Sequence, residues 1–173
     1  MLFLKDKEVG AYAFVGTEYA PVLAHWGLHG NLAFGITYGG YLVGFSYQEL
    51  LYSPTDLLIF PNTFSLKMKS AGVQIGFRLH DSNWVNAILN SNYRWGEIIW
   101  QKPPSDGDQF SSHVQVLEPE IAINIGPLKW IKLTGKIGYR TVFGLNLPKV
   151  QPNDFSGLSS TLGLRICLNY ARN

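Results

Sequence analysis

The chain has 173 residues and a formal net charge of +2, and only 15% of its residues are charged. Such a small net charge, with no run of Lys or Arg, argues against a nucleic-acid partner. The single cysteine excludes an internal disulfide framework, and the lack of any run of 18 apolar residues excludes a membrane-spanning helix. An aromatic content of 14% and 18 glycines instead indicate an ordered β protein, which we expect to form one domain over residues 1–173.

Alternation of apolar and polar residues predicts strands along the whole chain. The two faces of the first strand are hard to tell apart, whereas the parity of the apolar positions changes cleanly at Gly39-Gly40, as a tight hairpin requires. The last strand has the clearest pattern, because Leu164 and Ile166 share one face while Arg165 lies on the other. The eight predicted strands span about residues 8–19, 27–38, 41–52, 63–80, 84–101, 111–125, 130–145 and 157–171.

Short and long connections between these strands alternate. The short ones are at residues 39–40, 81–83 and 126–129, and the long ones are at 53–62, 102–110 and 146–156. The first connection, at residues 20–26, is of medium length and falls on the side of the long ones. This asymmetry predicts an eight-stranded antiparallel up-and-down transmembrane β-barrel in an outer membrane, with longer external loops and both termini in the periplasm.

The polar faces of the strands consist mainly of Gly, Ala, Ser, Thr and Asn, whereas soluble surfaces carry roughly 25–35% charged residues. Small residues suit the narrow interior of an eight-stranded barrel, so we expect the polar face to point inward. Charges there need partners, and the predicted interior charge network consists of Glu118, Glu120, Lys132, Lys136, Arg140 and Arg165. The opposite orientation, a soluble lipocalin-like barrel with the apolar face inward, remains an alternative.

Two further features bear on this barrel. The five tryptophans and several tyrosines lie mostly toward strand ends, where aromatic girdles meet the two lipid–water interfaces, although aromatic packing in a β core is an alternative. Pro119 lies within a strand, and a closed barrel has no free edge for a residue without an N–H. We therefore predict a β-bulge at Glu118–Glu120.

The C-terminal half resembles a known group of proteins. The segments 117–125 (Leu-Glu-Pro-Glu-Ile-Ala-Ile-Asn-Ile), 135–140 (Gly-Lys-Ile-Gly-Tyr-Arg) and 155–158 (Phe-Ser-Gly-Leu) are similar to small outer-membrane β-barrels of Gram-negative bacteria, of the OmpA/OmpX-like superfamily. The resemblance implies an integral outer-membrane location, eight strands and no established chemistry. Residues 1–8 lack the apolar core of a secretory signal, so we expect the mature form of a chain whose leader has been removed.

Candidate chemistry is sparse. Ser112 and His113, with Glu118 nearby, are the one local set that could form a nucleophile, a base and an orienting group, but a regular strand would point Glu118 away from His113. We expect no catalytic residues, no metal site and no cofactor. The apolar loop residues Leu57, Leu58, Ile59 and Phe60 predict contact with membrane lipid or with another outer-membrane protein.

These observations favour a non-enzymatic outer-membrane barrel that acts as a structural, adhesive or accessory subunit and has a side-chain-plugged interior. A soluble carrier of an apolar ligand is the first alternative, and an outer-membrane lipid hydrolase is the second.

Overall fold

The computed structural model describes residues 9–23, 25–53, 65–82, 84–101, 109–128, 130–147 and 150–170. Eight strands form a closed antiparallel barrel in which each strand pairs with the next and β8 pairs with β1. The strands are β1 (Val9–Val22), β2 (His25–Tyr38), β3 (Tyr41–Tyr52), β4 (Ser65–Asp81), β5 (Val85–Gln101), β6 (Gln109–Ile125), β7 (Ile131–Phe143) and β8 (Gly157–Tyr170). The described part of the chain contains no helix that is long and apolar enough to cross a membrane.

The barrel has two distinct ends. We call the end where β1 begins and β8 finishes the terminal end, and the opposite one the loop end. The terminal end carries the tight turn at Gly39-Gly40, where both glycines have positive φ angles of 55° and 93°. This is the hairpin that the change in parity predicts, and glycine suits it because it adopts positive φ without steric cost.

The first connection at the loop end is shorter than predicted. Strand β1 continues to Val22, which pairs with His25, so that only residues 23 and 24 separate β1 from β2. Leu23 makes this reversal with a φ of 51°, which is unfavourable for a residue with a Cβ atom. Its side chain packs against buried apolar residues at the loop end, and this contact offsets the strain. The expectation of a medium-length connection is therefore wrong.

The apolar faces of the strands point outward and the polar faces point into the barrel. Leu164, Ile166 and Ile137 are 46%, 43% and 68% exposed, whereas their strand neighbours Arg165 and Lys136 are each 6% exposed. A protein that leaves its large aliphatic side chains outside and buries its charges is built for an apolar surrounding. This confirms the orientation of a transmembrane barrel and contradicts the lipocalin-like alternative.

Strand β6 passes Pro119 without a bulge. Pairing with β5 is continuous through the pair Ser91–Pro119. In the ladder with β7, the pairs Leu117–Thr141 and Glu120–Gly138 have the same register. Only the two residue pairs between them are missing. The predicted bulge is wrong, because the strand tolerates the missing N–H of proline by leaving a short gap in one ladder. Register shifts occur instead between β2 and β3, where Leu51 is unpaired, and between β4 and β5, where Leu79 is unpaired.

Interior glycines make room for two aromatic rings. A Cβ atom on Gly16 or Gly163 would lie 2.7 Å from the ring of Phe14, and one on Gly35 would lie 2.8 Å from the ring of Tyr12. Both distances are shorter than van der Waals contact, so these rings fit only because the neighbouring positions lack side chains. The small residues of the polar face therefore serve the close packing of a narrow lumen.

Candidate functional site: the filled lumen

Three buried carboxylates occupy the middle of the lumen. Glu118 of β6 forms an ion pair with Arg94 of β5, and both side chains are almost completely buried, with 1% and 0% exposed. Glu118 also accepts a hydrogen bond from the hydroxyl of Ser159 on β8. Because only β7 separates β6 from β8, Glu118 connects β5, β6 and β8 along one side of the lumen.

A second ion pair joins β7 to β1. Arg140 of β7 donates to Glu18 of β1, and neither residue is exposed to solvent. The second oxygen of Glu18 accepts a hydrogen bond from Asn31 Nδ2 at 2.9 Å. The other terminal nitrogen of Arg140 lies 3.2 Å from His29 Nε2. Each charge in this group therefore has a partner of opposite charge and at least one further polar contact, as burial in a low-dielectric interior requires.

Glu120 is the third carboxylate and has the most partners. One of its oxygens lies 3.0 Å from Lys136 Nζ and accepts hydrogen bonds from Asn90 and Gln74 at 3.2 and 3.4 Å. The ammonium of Lys136 also lies 4.2 Å above the centre of the Phe14 ring. A cation over an aromatic face gains electrostatic attraction, so that Lys136 is stabilised by a carboxylate and by a ring together.

All six residues of the predicted charge network point into the lumen and are at most 6% exposed. The structure brings Glu120 and Lys136 together, but it pairs Glu118 and Arg140 with residues outside that set. Lys132 and Arg165 face each other across the β7–β8 ladder nearer the terminal end. Of the three central ion pairs, only that of Glu120 with Lys136 joins β6 to β7.

Sequence reasoning missed Glu18, His29 and Arg94 as members of this network. Arg94 lies on the polar parity of its strand, so the alternation did contain a signal for it. Glu18 belongs to the strand whose faces were indistinguishable, and its partner Arg140 is 122 residues away. No local pattern could identify that pair, because it exists only when the sheet closes.

The loop end of the lumen has a different composition. Here inward-facing side chains form a buried apolar cluster near the mouth of the barrel, and we call it the apolar cap. The segment after β7 contributes to it through a 3₁₀ turn at Pro152–Phe155, which buries the Phe155 ring completely. The buried residues of the apolar cap are Val22, Leu66, Met68, Ile98, Val114, Val116, Val142, Leu147 and Phe155.

The candidate hydrolase residues do not form a catalytic site. Ser112 points into the lumen and its hydroxyl accepts a hydrogen bond from the backbone N–H of Asn146 at 2.8 Å, whereas His113 is exposed on the outer face. Glu118 is occupied by its ion pair with Arg94. Within the described ranges, no group of three His, Cys, Asp or Glu residues is placed to hold a metal ion. The loop residues Leu57, Leu58, Ile59 and Phe60 lie outside the described residues.

Comparison with solved structures identifies the fold. Neisserial surface protein A matches with a TM-score of 0.62 at 12% sequence identity, covering 94% of this chain and 96% of that one. The N-terminal β-barrel domain of Pseudomonas aeruginosa OprF matches with a TM-score of 0.63 at 10% identity, covering 95% and 100%. The chain has the fold of the eight-stranded outer-membrane barrels. The attachment invasion locus protein of Yersinia pestis shares this fold, with a TM-score of 0.57 at 10% identity and coverage of 95% and 100%.

Family models and curated proteins gave no match to the sequence. The structural likeness and the outward apolar face together support an integral outer-membrane barrel, as the resemblance in the C-terminal half implies.

On β3 to β6, the apolar outer surface ends near the loop end at a row of ionic side chains. Glu49, Lys69, Glu97 and His113 are successive cross-strand partners on β3 to β6, and we call them the charge row. Lys69 Nζ lies 3.1 Å from Glu49, which also accepts a hydrogen bond from the Tyr47 hydroxyl at 2.8 Å. Outward-facing ionic groups directly beyond an apolar band are typical of the headgroup level of a membrane.

Proposed function

We propose that the chain is an integral outer-membrane barrel that closes its own lumen and acts as a non-enzymatic structural, adhesive or accessory subunit. The observation that carries this proposal is the burial of two successive layers of inward-facing side chains. The central layer is ionic and the loop-end layer is apolar. Water-filled pores of outer-membrane barrels are instead lined by polar side chains that leave an aqueous channel free.

The ionic layer supports closure because its members bind one another. The ion pairs of Glu118 with Arg94 and of Glu18 with Arg140 bury all four side chains almost completely. A permeating ion would have to compete with these contacts in an environment of low dielectric constant. This layer therefore opposes the passage of ions without requiring a lid.

The apolar cap supports closure at the loop end. Phe155, Val22 and Val116 are 0% exposed although they lie at the mouth of the barrel. An apolar constriction excludes water and hence hydrated ions. The two layers act by different physical means, so the loss of one does not open the lumen.

Orientation follows from the distribution of connections. We infer that the terminal end is periplasmic, because it carries the tight turn at Gly39-Gly40 and the other short connections, after β4 and β6. The 13 residues between β7 and β8 then form an external loop. Membrane lipid is the partner of the outer face, and the loop containing Leu57 to Phe60 remains a predicted contact for lipid or for a second outer-membrane protein.

Conductance in planar lipid bilayers tests the proposal. We expect no large, steady channels from the purified chain after refolding in detergent, and we expect the same when Phe155 and Met68 are both replaced by alanine. A matched control replaces the outward-facing Phe143 and Leu133 by alanine. Large, steady channels from the unmodified chain would contradict the closed lumen, whereas channels from the Phe155/Met68 variant alone would assign closure to the apolar cap.

A further inference from the structure

The outer face of β4 and β5 carries unlike side chains opposite one another. Three cross-strand pairs point outward here, in order from the loop end toward the middle of the barrel. They are Lys69–Glu97, Ala71–Trp95 and Val73–Tyr93, and we call these six residues the β4–β5 face. The first pair joins a cation to an anion, and the second joins a methyl group to an indole. Both the charge and the bulk of this surface therefore differ between the two strands.

Ala71 forms the floor of a hollow on this face. Its cross-strand partners are Tyr47 on β3 and Trp95 on β5, whose aromatic side chains also point outward. Trp95 is 51% exposed, and its ring packs edge-on against the Tyr93 ring with the ring centres 4.8 Å apart. The β4–β5 face thus presents a hollow directly beside a projecting ring, which are the two halves of a knob-and-hole contact.

The charges of this face alternate with those beside it. Lys69 Nζ lies 3.1 Å from Glu49, whereas no cation among the described residues lies at ion-pair distance from Glu97. Along the charge row, Lys69 is therefore flanked by a carboxylate on each side. Two flanking carboxylates repel a lipid phosphate, but they suit a protein surface on which the charges alternate in the same way.

A second copy of the chain offers such a surface. Copies that insert into a membrane in the same orientation are related by a two-fold axis along the membrane normal, and in a two-fold interface residue i meets j while j meets i. When this axis passes between β4 and β5, each side chain of the β4–β5 face lies opposite its own cross-strand partner from the second copy. Lys69 then meets Glu97 of the second copy, and Trp95 meets the hollow at Ala71 of the second copy.

The tilt of the strands allows these contacts. Strands in such barrels tilt by about 35–45° and lie about 4.8 Å apart, so the two members of a cross-strand pair differ in height by only about 3 Å. The Lys69 side chain and the Trp95 ring are long enough to span that difference. Glu49 and His113 lie on the outer strands of the charge row, where a narrow barrel curves away from the contact. Lys69 has three N–H donors, so it can bind Glu49 of its own chain and Glu97 of the second copy together.

We propose that the β4–β5 face joins two copies of the chain into a symmetric dimer within the membrane. Lys69 of each copy binds Glu97 of the other, and Trp95 of each copy packs on Ala71 of the other. In lipid, association depends on close packing at small residues and on polar contacts, and this face supplies both. The dimer is independent of the proposed closure of the lumen, because no residue of the β4–β5 face points inward. Conductance and dimer assays can therefore fail separately.

Cross-linking at one introduced cysteine tests the position of the axis. Lys67 is exposed on β4 beside the face, so Lys67→Cys brings two thiols close together in the dimer. The variant carries Cys167→Ser, which removes the single native cysteine. The matched control is Leu158→Cys, which is also outward-facing near the loop end but lies on β8, on the opposite side of the barrel.

Both cysteine variants are folded in vesicles of phosphatidylcholine at low protein density and treated with a short bismaleimide. The heat-dependent shift in gel migration shows that each is folded. We expect cross-linked dimers to form at least about fivefold faster from Lys67→Cys, because an interface raises the local concentration of the two thiols. Equal rates at the two positions would overturn the proposal.

Charge reversal tests the contact between Lys69 and Glu97. In the Lys67→Cys background, Glu97→Lys and Lys69→Glu each place like charges across the axis, and each should lower the yield of dimers at least about tenfold. An equal mixture of the two variants should recover dimers, because every lysine at the contact then faces a glutamate. This recovery does not depend on what either substitution does within its own barrel. A mixture that gives no more dimers than the separate variants would overturn the proposal.

Two further arms separate this dimer from other occupants of the face. Ala71→Trp fills the hollow and should abolish cross-linking, whereas Ser160→Trp on the outer face of β8 should not. Vesicles that contain phosphatidylglycerol should leave the yield of dimers unchanged. A face that instead held lipid phosphate would lose dimers in these vesicles and would bind the anionic lipid more strongly after Glu97→Lys, and that result would also overturn the proposal.

Discussion

The centre of the lumen and its loop end are formed by the same strands but hold opposite kinds of side chain. At the centre, Glu118, Glu18 and Glu120 are each bound to a cation and to further polar groups. At the loop end, the inward positions of β4, β5 and β6 are apolar and are completed by Phe155. The comparison shows that a closed sheet fixes where a side chain points but leaves open whether the layer it joins is held by charges or by hydrophobic contact.

The two layers should respond differently to substitution. In the ionic layer, removal of one partner leaves a buried charge, whereas removal of both leaves only a packing defect. In the apolar cap, each substitution leaves a cavity whose cost depends on the atoms removed. The following predictions test this difference, from the largest expected effect to the smallest.

The largest effect should come from Glu118→Ala. It leaves the guanidinium of Arg94 buried without its carboxylate, so the free energy of unfolding should fall by about 3–5 kcal/mol. Urea titration of the folded chain in detergent, followed by the heat-dependent shift in gel migration, measures this loss. The double variant Glu118→Leu with Arg94→Met should recover most of it, and the exposed Glu49→Ala serves as the control. A loss below about 1 kcal/mol in the single variant would show that Arg94 does not depend on this pair.

Phe155→Ala should be next in size. The ring is fully buried in the apolar cap, and removal of a buried Phe side chain costs about 3 kcal/mol or more. The same titration measures it, with the lipid-facing Phe143→Ala as the matched control because Phe143 is 45% exposed. If the two alanine substitutions lower the free energy of unfolding equally, the apolar cap contributes no more to stability than the outer surface does.

A smaller effect is expected at interior glycines. A Cβ atom on Gly44 would collide with the Tyr12 hydroxyl and with the backbone oxygen of Phe34, so Gly44→Ala should destabilise the barrel by about 1–3 kcal/mol. Gly135 has open space at its Cβ position, and Gly135→Ala should change the free energy of unfolding by less than about 0.5 kcal/mol. The difference between the two alanine variants is the quantity to measure, and a value near zero would mean that the ring of Tyr12 moves freely aside.

The smallest effect should come from the charge row. Lys69 and Glu49 are 58% and 39% exposed, so solvent screens their ion pair, and Lys69→Gln should lower the free energy of unfolding less than the destabilising substitutions above. Raising the salt concentration should leave this variant and the unmodified chain almost equally stable. A loss comparable to that of Glu118→Ala would place the charge row in the low-dielectric region and move the membrane boundary toward the loop end.

Sequence reasoning predicted most of the fold but only part of the lumen. The period of two located all eight strands and, in every strand but the first, the two faces, because a strand in a barrel must alternate between lipid and lumen. It failed at Pro119, where a bulge was predicted. The β6–β7 ladder instead keeps its register and lacks two residue pairs beside the proline. It also failed at the β1–β2 connection, where contacts of Leu23 with the apolar cap stabilise an unfavourable φ.

On the inward face, the sequence predicts the direction of the charged side chains but not their partners. Alternation placed the six predicted charges and Arg94 on the polar face, since the direction of a side chain is a local property of the strand. The choice of partner is not local: Arg140 meets Glu18 only because β8 closes the sheet against β1. The sequence by itself thus determined the strands and, in all but the first, which side chains share a face. Closure of the barrel decided which charges pair and where the apolar cap forms, because these depend on distances across a lumen that exists only in the folded state.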